Sequence, residues 1–251
     1  SGSTAWHRLF QDIGTKSIAV LGFEPALEDG AIIVSRRGNR WYNIQVQGIE
    51  AHAGRCRGEE INAAHEAATL ITRLVGEVQE LKKQQGTPLG EGLSLHVGHI
   101  EGGRGKHNIV CGDVHIKLDT RFSNFHEREL IHHLVIDTLS QTNHSTFEIV
   151  DDCPPFDRDA QYGDVVTHLL PALSESEGRN IQAVKAGGAG DVNHMSRPGL
   201  FIMDGLGPVG GRMHTVEEYI ELESLSTRIA ALSTWYAKLF AKLSLSTRDE
   251  D

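Results

Sequence analysis

A chain of 251 residues is long enough for one large domain or two modest ones, and its 39% apolar content can bury a real core. A net charge of −10 without any strong Lys/Arg run excludes a nucleic-acid surface, because phosphate binding needs a concentrated basic footprint. No apolar run is long enough to span a bilayer and no secretory pattern opens the chain, so neither membrane insertion nor secretion is expected.

Cys56, Cys111 and Cys153 are odd in number, widely spaced and outside any C-x-x-C pattern, so they read as reduced, structural and cytoplasmic. Fourteen histidines is a high number for this length. The opening Ser1-Gly2-Ser3 need not be where the natural polypeptide starts.

In chain order, Trp6, Leu9, Phe10 and Ile13 recur at threes and fours, which predicts a short amphipathic helix ending at Gly14. Ser17 to Phe23 reads as a buried strand that delivers Glu24-Pro25 at its C-terminal end, where parallel-sheet enzymes place chemistry. Ile32 to Arg36 and Trp41 to Gln47 flank Gly38-Asn39 and read as a hairpin. From Glu59 to Lys83 the residues Ile61, Ala64, Ala68, Ile71, Leu74, Val75, Val78 and Leu81 form one stripe of a long helix. Leu93 to Ile100 and Asp113 to Phe122 alternate like half-exposed strands, Glu127 to Leu139 is helical, and Ser145 to Val150 is a closing strand.

Strand, helix, strand, strand, helix, strand is the order of a ferredoxin-like α+β unit. The segment from Cys153 onward alternates again: a helix near Asp164 to Gly178, strands at Ile181 to Val184 and Gly199 to Met203, and a helix from about Glu223 to Leu243. The expected organisation is an α/β domain in two pieces, 1–35 and 152–251, with a ferredoxin-like unit inserted at 36–151.

Several residues carry candidate chemistry. His214, on a Gly-rich loop, is either a zinc ligand or a surface histidine capping the last helix. Glu24 must be paired, bound to metal or exposed, because burying a lone carboxylate is too costly. Glu217 and Glu218 read as charges complementing the dipole at the last helix's start. His52, in Gly48-Ile-Glu-Ala-His-Ala-Gly54, is either structural or a donor aimed at a substrate oxygen. Arg121 is either a carboxylate grip or one half of a surface ion pair. The Gly187-Gly-Ala-Gly-Asp191 loop lets backbone amides approach a ligand, although a short Gly cluster is weak evidence for a phosphate site.

The order of these signals is more specific than any one of them. Phe-Glu24-Pro, Ala-His52-Ala-Gly, Gly-Glu-Glu-Ile-Asn62-Ala, Gly-Gly-x-x-x-x-Asn108-Ile-Val, Asp119-x-Arg121, Gly-Gly-x-x-Asp191 and Gly-Pro-Val-Gly-Gly-x-x-His214-Thr-x-Glu-Glu-Tyr span nearly the whole chain. Together they resemble the dizinc metallopeptidases that include glutamate carboxypeptidase, acetylornithine deacetylase, succinyl-diaminopimelate desuccinylase and aminoacylase, and Ala-His-Ala-Gly leans toward the glutamate carboxypeptidase branch.

The resemblance implies a zinc-exopeptidase-like α/β catalytic domain with two zinc ions and an inserted ferredoxin-like dimerisation lid. Glu24 and His214 would then be metal ligands, one on each zinc. His52 would reach across a homodimer to polarise the scissile carbonyl, Asn108 and Arg121 would bind substrate, and Gly188 and Asp191 would line the pocket. The implied reaction is hydrolysis of a peptide or N-acyl amino acid with a free carboxylate by zinc-activated water, and the implied protein is a cytoplasmic homodimer.

The departures matter equally. The family's upstream His-x-Asp motif, bridging aspartate and Glu-Glu pair are not found before Glu24, so the chain reads as cut just after the catalytic base. Cys111 stands where a proline is usual. Two other readings follow: a non-catalytic dimerisation or binding module derived from such an enzyme, and a metal site rebuilt with His107 or His194.

Overall fold

The computed structural model describes residues 2–86, 92–142, 144–157, 163–213 and 215–246. The chain divides into two compact units, one of Ser1–Arg36 with Phe156–Asp251 and one of Arg37–Pro155.

The second unit is α+β. Its elements run β3 (Gly38–Gln47), α2 (Ala63–Gln85), β4 (Ser94–Gly102), β5 (Asp113–Phe122), α3 (Phe125–Ser140) and β6 (Ser145–Cys153). The strands form one sheet in the order β4-β5-β3-β6 with every pair antiparallel, which is the ferredoxin-like topology. Period-two alternation assigns the faces. Tyr42, Ile44, Val46, Val114, Ile116 and Leu118 point to the core beneath the helices, and Trp41, Asn43, His115 and Lys117 point away from it.

Asn62 starts α2 by accepting the amides of Ala64 and His65 at Oδ1, and Gly86 ends it in the left-handed region at φ 61°. The row that α2 buries is Ala63, Ala67, Leu70, Leu74 and Val78. This corrects the predicted stripe. Ile71, Val75 and Leu81 flank the core, Ala64 and Ala68 are exposed, and Ile61 precedes the helix, paired with Ile49.

The first unit is α/β. It contains α1 (Gly2–Lys16), β1 (Ala19–Leu21) and β2 (Ile32–Arg36), then α4 (Gly163–Glu177), β7 (Ala183–Ala186), β8 (Phe201–Met203), the short β9 (Gly210–Gly211) and β10 (Tyr219–Ile220), and α5 (Leu222–Ser246). β1 pairs parallel with β8 and β2 parallel with β7, while a bridge between Ile33 and Asp204 ties β2 to the end of β8. β2 and β8 are buried on both faces, as parallel strands require. Ile32, Val34, Phe201 and Met203 pack with Val166, Leu169, Leu173 and Trp235, while Val20, Ile33, Leu200 and Ile202 pack with Phe156 and Val192.

The predicted hairpin of Ile32–Arg36 with Trp41–Gln47 does not form. β2 belongs to the α/β unit and β3 lies between β5 and β6 of the other. Gly38 begins a strand instead of a turn: a Cβ there would lie 2.3 Å from the Phe122 ring and 2.5 Å from the Cys153 carbonyl oxygen.

Leu74 is 1% exposed. Leu74→Ala is expected to lower unfolding stability by about 2–5 kcal/mol, measurable by urea denaturation. Tyr42 is fully buried, and its hydroxyl lies 2.9 Å from His132 Nδ1. Burial, partly opposed by the neighbouring Arg40 cation, pushes the phenol up to about 12. The unfolded phenol ionises first, so stability is present below pH about 10 and is lost as pH rises from about 10 to 12, by roughly 3 kcal/mol. Tyr42→Phe should flatten that alkaline limb.

Candidate functional site

In the α/β unit the C-terminal ends of β1 and β8 lie side by side, which is where such sheets gather ligands. Glu24 follows β1 with an exposed side chain. Its carbonyl accepts the Gly207 amide at 3.0 Å, and the Ala26 amide donates to Pro208 at 2.9 Å. Gly207 permits this approach, since a Cβ there would meet the carbonyl oxygens of Phe23 and Glu24 at 2.5 and 2.7 Å. Glu24 thus stands beside the 207–211 segment that runs toward His214. His214 itself lies outside the described residues.

Around that position the chain turns tightly. Arg212 has φ 54° and donates to Glu217 at 2.6 Å, and the Thr215 amide bonds back to the Arg212 carbonyl. Glu217 and Glu218 precede α5, which starts at Leu222, and lie outside its first turn. Glu217 is engaged locally by Arg212.

Two buried charged groups, Arg228 and Asp204, fix the loops behind these residues, and the sequence reading missed both. Arg228 on α5 is 1% exposed. Its Nε donates to Glu177 of α4 at 2.6 Å, its Nη1 to the carbonyls of Gly205 and Gly207 at 3.1 Å each, and its Nη2 to the carbonyl of Gly30. Asp204 is fully buried, takes Arg36 Nε at 2.8 Å on Oδ2 and takes the Gly205 amide at 2.8 Å on Oδ1. Arg36 Nη1 continues to the Gly188 carbonyl at 3.1 Å.

The Gly187–Asp191 loop therefore hangs from a buried carboxylate. Asp191 is exposed at the start of a 3-10 turn, Asp191–Met195. A signal existed in the isolated acid of Met203-Asp204-Gly205 at a strand end, but nothing in the sequence pairs it with a residue 168 positions away.

His194 is buried, its ring 4.9 Å from that of His7 and stacked on Phe10 at 6.2 Å. Among the described residues no group of three or more His, Cys, Asp or Glu is placed to hold a metal ion, so neither His107 nor His194 rebuilds a site there. Zinc in a closed protein site takes four ligands. The described residues gather fewer than three such groups at this place, which does not amount to a closed zinc site.

In the α+β unit His52 and Asn108 meet. The loop bridges His52 to Ile109, with Ala53 bonded to the Asn108 carbonyl and Val110 to the Ala51 carbonyl, each at 2.9 Å. His52 Nδ1 accepts the Gly54 amide at 3.1 Å, so a neutral ring carries its proton on Nε2. That nitrogen lies 3.3 Å from the Asn108 side-chain amide, which must present its oxygen to it. Both side chains are exposed, so the Nε2–H held by Asn108 lies at the surface of the unit.

Arg121 sits elsewhere. Its Nε and Nη2 hold Asp119 at 2.7 and 2.6 Å, and Trp41 Nε1 donates to the same carboxylate at 2.9 Å. Burial, and next the charge of Arg121, push the neighbouring Arg37 guanidinium down. The carboxylates of Glu127 and Asp119 act on Arg37 in the opposite direction. Arg121 faces Asn39 and Asp113 faces Gln47 at opposite ends of the ladder. At about 3.4 Å per residue this separates Arg121 from the His52 end by about 27 Å or more. Within one copy of the unit, His52 and Asn108 form one group and Arg121 another.

Residues 34–146 match the sequence model of the peptidase dimerisation domain, M20_dimer. The fold of the chain is that of peptidases and amidases. Aminopeptidase PepT from Bacillus cereus matches 87% of this chain and 56% of its own length, with TM-score 0.67 and 23% identity. A tripeptidase from Staphylococcus aureus matches 92% of this chain and 60% of its own length, with TM-score 0.64 and 16% identity. An amidase of the hydantoinase/carbamoylase family from Burkholderia phymatum matches 89% and 55%, with TM-score 0.60 and 14% identity. The chain spans little more than half the length of these structures.

Arg228→Met removes the nearer of the two cations on buried Glu177, leaving Arg179 Nε at 3.4 Å, and is expected to cost more in chemical denaturation than the double change Arg228→Met with Glu177→Leu, which removes both members of the buried pair.

Proposed function

We propose that this chain is part of a metal-dependent hydrolase subunit, carboxypeptidase- or deacylase-like and nearest the glutamate carboxypeptidase branch, that cleaves an amide bond to a small carboxylate-bearing amino acid. The observation that carries this reading is the His52–Asn108 pair, an exposed imidazole held by a carboxamide on a segment that matches a peptidase dimerisation domain.

In this reading the His52 Nε2–H passes from Asn108 to the scissile carbonyl oxygen as negative charge develops on it. Asn108 fixes the ring's orientation, and Arg121 receives the substrate carboxylate through Nη1, its other nitrogens being held by Asp119. Because the two groups lie at opposite ends of one sheet, each active site of a homodimer would draw on both copies. Glu24 and His214 are the zinc ligands assigned to this chain, and Gly188 and Asp191 line the pocket.

The α/β unit also supports its being part of a larger domain. Leu21, Phe23, Leu225, Ile229, Leu232 and Tyr236 line an apolar hollow of about 610 Å³, and Phe23, Ile229 and Tyr236 are 64%, 58% and 54% exposed. A patch of this kind marks a surface that other polypeptide covers.

A second reading is a non-catalytic dimerisation or binding module derived from such an enzyme. Metal content and turnover separate the two. Protein expressed from the whole reading frame and supplied with zinc or cobalt should hold about two metal ions per site and hydrolyse N-acyl amino acids or Glu-terminated dipeptides. His52→Ala should then lower kcat by about 10²–10³ with metal content unchanged. Absence of both metal and hydrolysis would leave the binding module.

A further inference from the structure

We propose that Trp41 determines substrate specificity: its indole, beside Arg121 on the open face of the α+β sheet, receives the side chain of the amino acid whose carboxylate Arg121 holds, and selects apolar side chains over acidic ones. The proposal rests on the carboxylate-binding role given to Arg121 in the reading above and names the substrate class.

The two side chains are neighbours by register. On β5, Asp119 lies opposite Trp41 and Arg121 opposite Asn39, so Trp41 and Arg121 are diagonal partners on one face. Such partners are about 7–8 Å apart at the backbone, within reach of aromatic and long side chains. Here a single atom joins them. Asp119 Oδ2 accepts Trp41 Nε1–H at 2.9 Å and Arg121 Nη2–H at 2.6 Å, while Oδ1 accepts Arg121 Nε–H at 2.7 Å. Asp119 thus fixes the ring and the guanidinium together, and a carboxylate bonded to Arg121 Nη1 brings its α-carbon and side chain into the neighbourhood of the indole.

The chemistry of the indole then decides which side chain suits it. Its one polar group is the N–H, and Asp119 takes that, yet 43% of the residue is exposed. The exposed remainder is ring surface, which gains when apolar groups cover it.

Acidic side chains are disfavoured because Trp41 lies between two carboxylates, Asp119 on β5 and its register partner Asp151 on β6. Arg121 neutralises Asp119, whereas Asp151 accepts a hydrogen bond from the neutral Asn39 side chain at 2.6 Å, which leaves its charge in place. Like charges on adjacent strands repel. A basic side chain would be attracted by Asp151 and repelled by Arg121, so an apolar side chain fits the place best.

The test uses protein expressed from the whole reading frame and loaded with zinc, in unaltered form and as Trp41→Ala and Trp41→Phe. Two readouts are taken for N-acetylphenylalanine, N-acetylglutamate, N-acetyllysine and N-acetylglycine: kcat/KM, and affinity by titration calorimetry. The unaltered protein should prefer N-acetylphenylalanine. Trp41→Ala should lower kcat/KM for that compound by about tenfold, mainly through KM, and leave N-acetylglycine, which has no side chain to place, unchanged. Trp41→Phe keeps a ring without the N–H and should retain most of the preference. A preference for N-acetylglutamate or N-acetyllysine, a preference unmoved by Trp41→Ala, or an equal loss for all four compounds would each overturn the proposal and leave the hydrolase reading standing. Absent turnover with the same order of affinities, lost in Trp41→Ala, would overturn the enzymatic reading and leave the subsite, and binding of none of the four would overturn the subsite.

Discussion

A guanidinium with 1% exposure is tolerable only where its charge and each of its nitrogens are answered, and Arg228 meets that condition with one carboxylate and three glycine carbonyls. The carbonyls belong to Gly30, Gly205 and Gly207, which lie on loops around the C-terminal ends of β1 and β8. Gly30 and Gly205 have φ of 82° and 69°, so the loops turn their carbonyls inward in a conformation that side chains rarely adopt. With that side fixed, Glu24 and the 207–211 segment are held beside each other, and the α/β unit's candidate chemistry depends on it.

Asp204 provides a second anchor of the same kind. It joins the end of β8 to Arg36 and, through Arg36, to the Gly188 carbonyl. The two networks place charge in the interior and leave Glu24 and Asp191 exposed at the loop tips. Rigid support beneath exposed polar groups is what a preorganised site requires.

The α+β unit distributes its candidates differently. The β3–β5 ladder pairs ten residues from Gly38 to Gln47, and this length carries Arg121 to one end and the His52–Asn108 pair to the other. No side-chain rotation spans such a gap, so the register of one antiparallel ladder decides which polar residues of this unit can meet a common substrate in one copy.

Much of this was legible in the residues. Period-two alternation in Asp113 to Phe122, and three- and four-residue spacing in the stretch holding Leu74 and Val78, gave the elements of the α+β unit, because those periods follow from backbone geometry alone. Local chemistry also marked the candidates: a carboxylate after an apolar strand, Ala-His-Ala-Gly, and the Gly-rich segments before Asp191 and His214.

The failures were long-range. Ile32–Arg36 and Trp41–Gln47 looked like one hairpin because local signals cannot tell that the chain leaves one unit for another at Arg36-Arg37. The predicted α2 stripe contained Ala64 and Ala68 because alanine's small side chain suits either face. The pairing of Arg228 with Glu177, and of Arg36 with Asp204 and Gly188, joins residues 51, 168 and 152 positions apart. By itself the sequence determined the elements, their order and the chemical types present. Tertiary structure decided which charges are buried together and which candidate residues share an end of a sheet, because those outcomes depend on distance in space, which short-range periodicity does not encode.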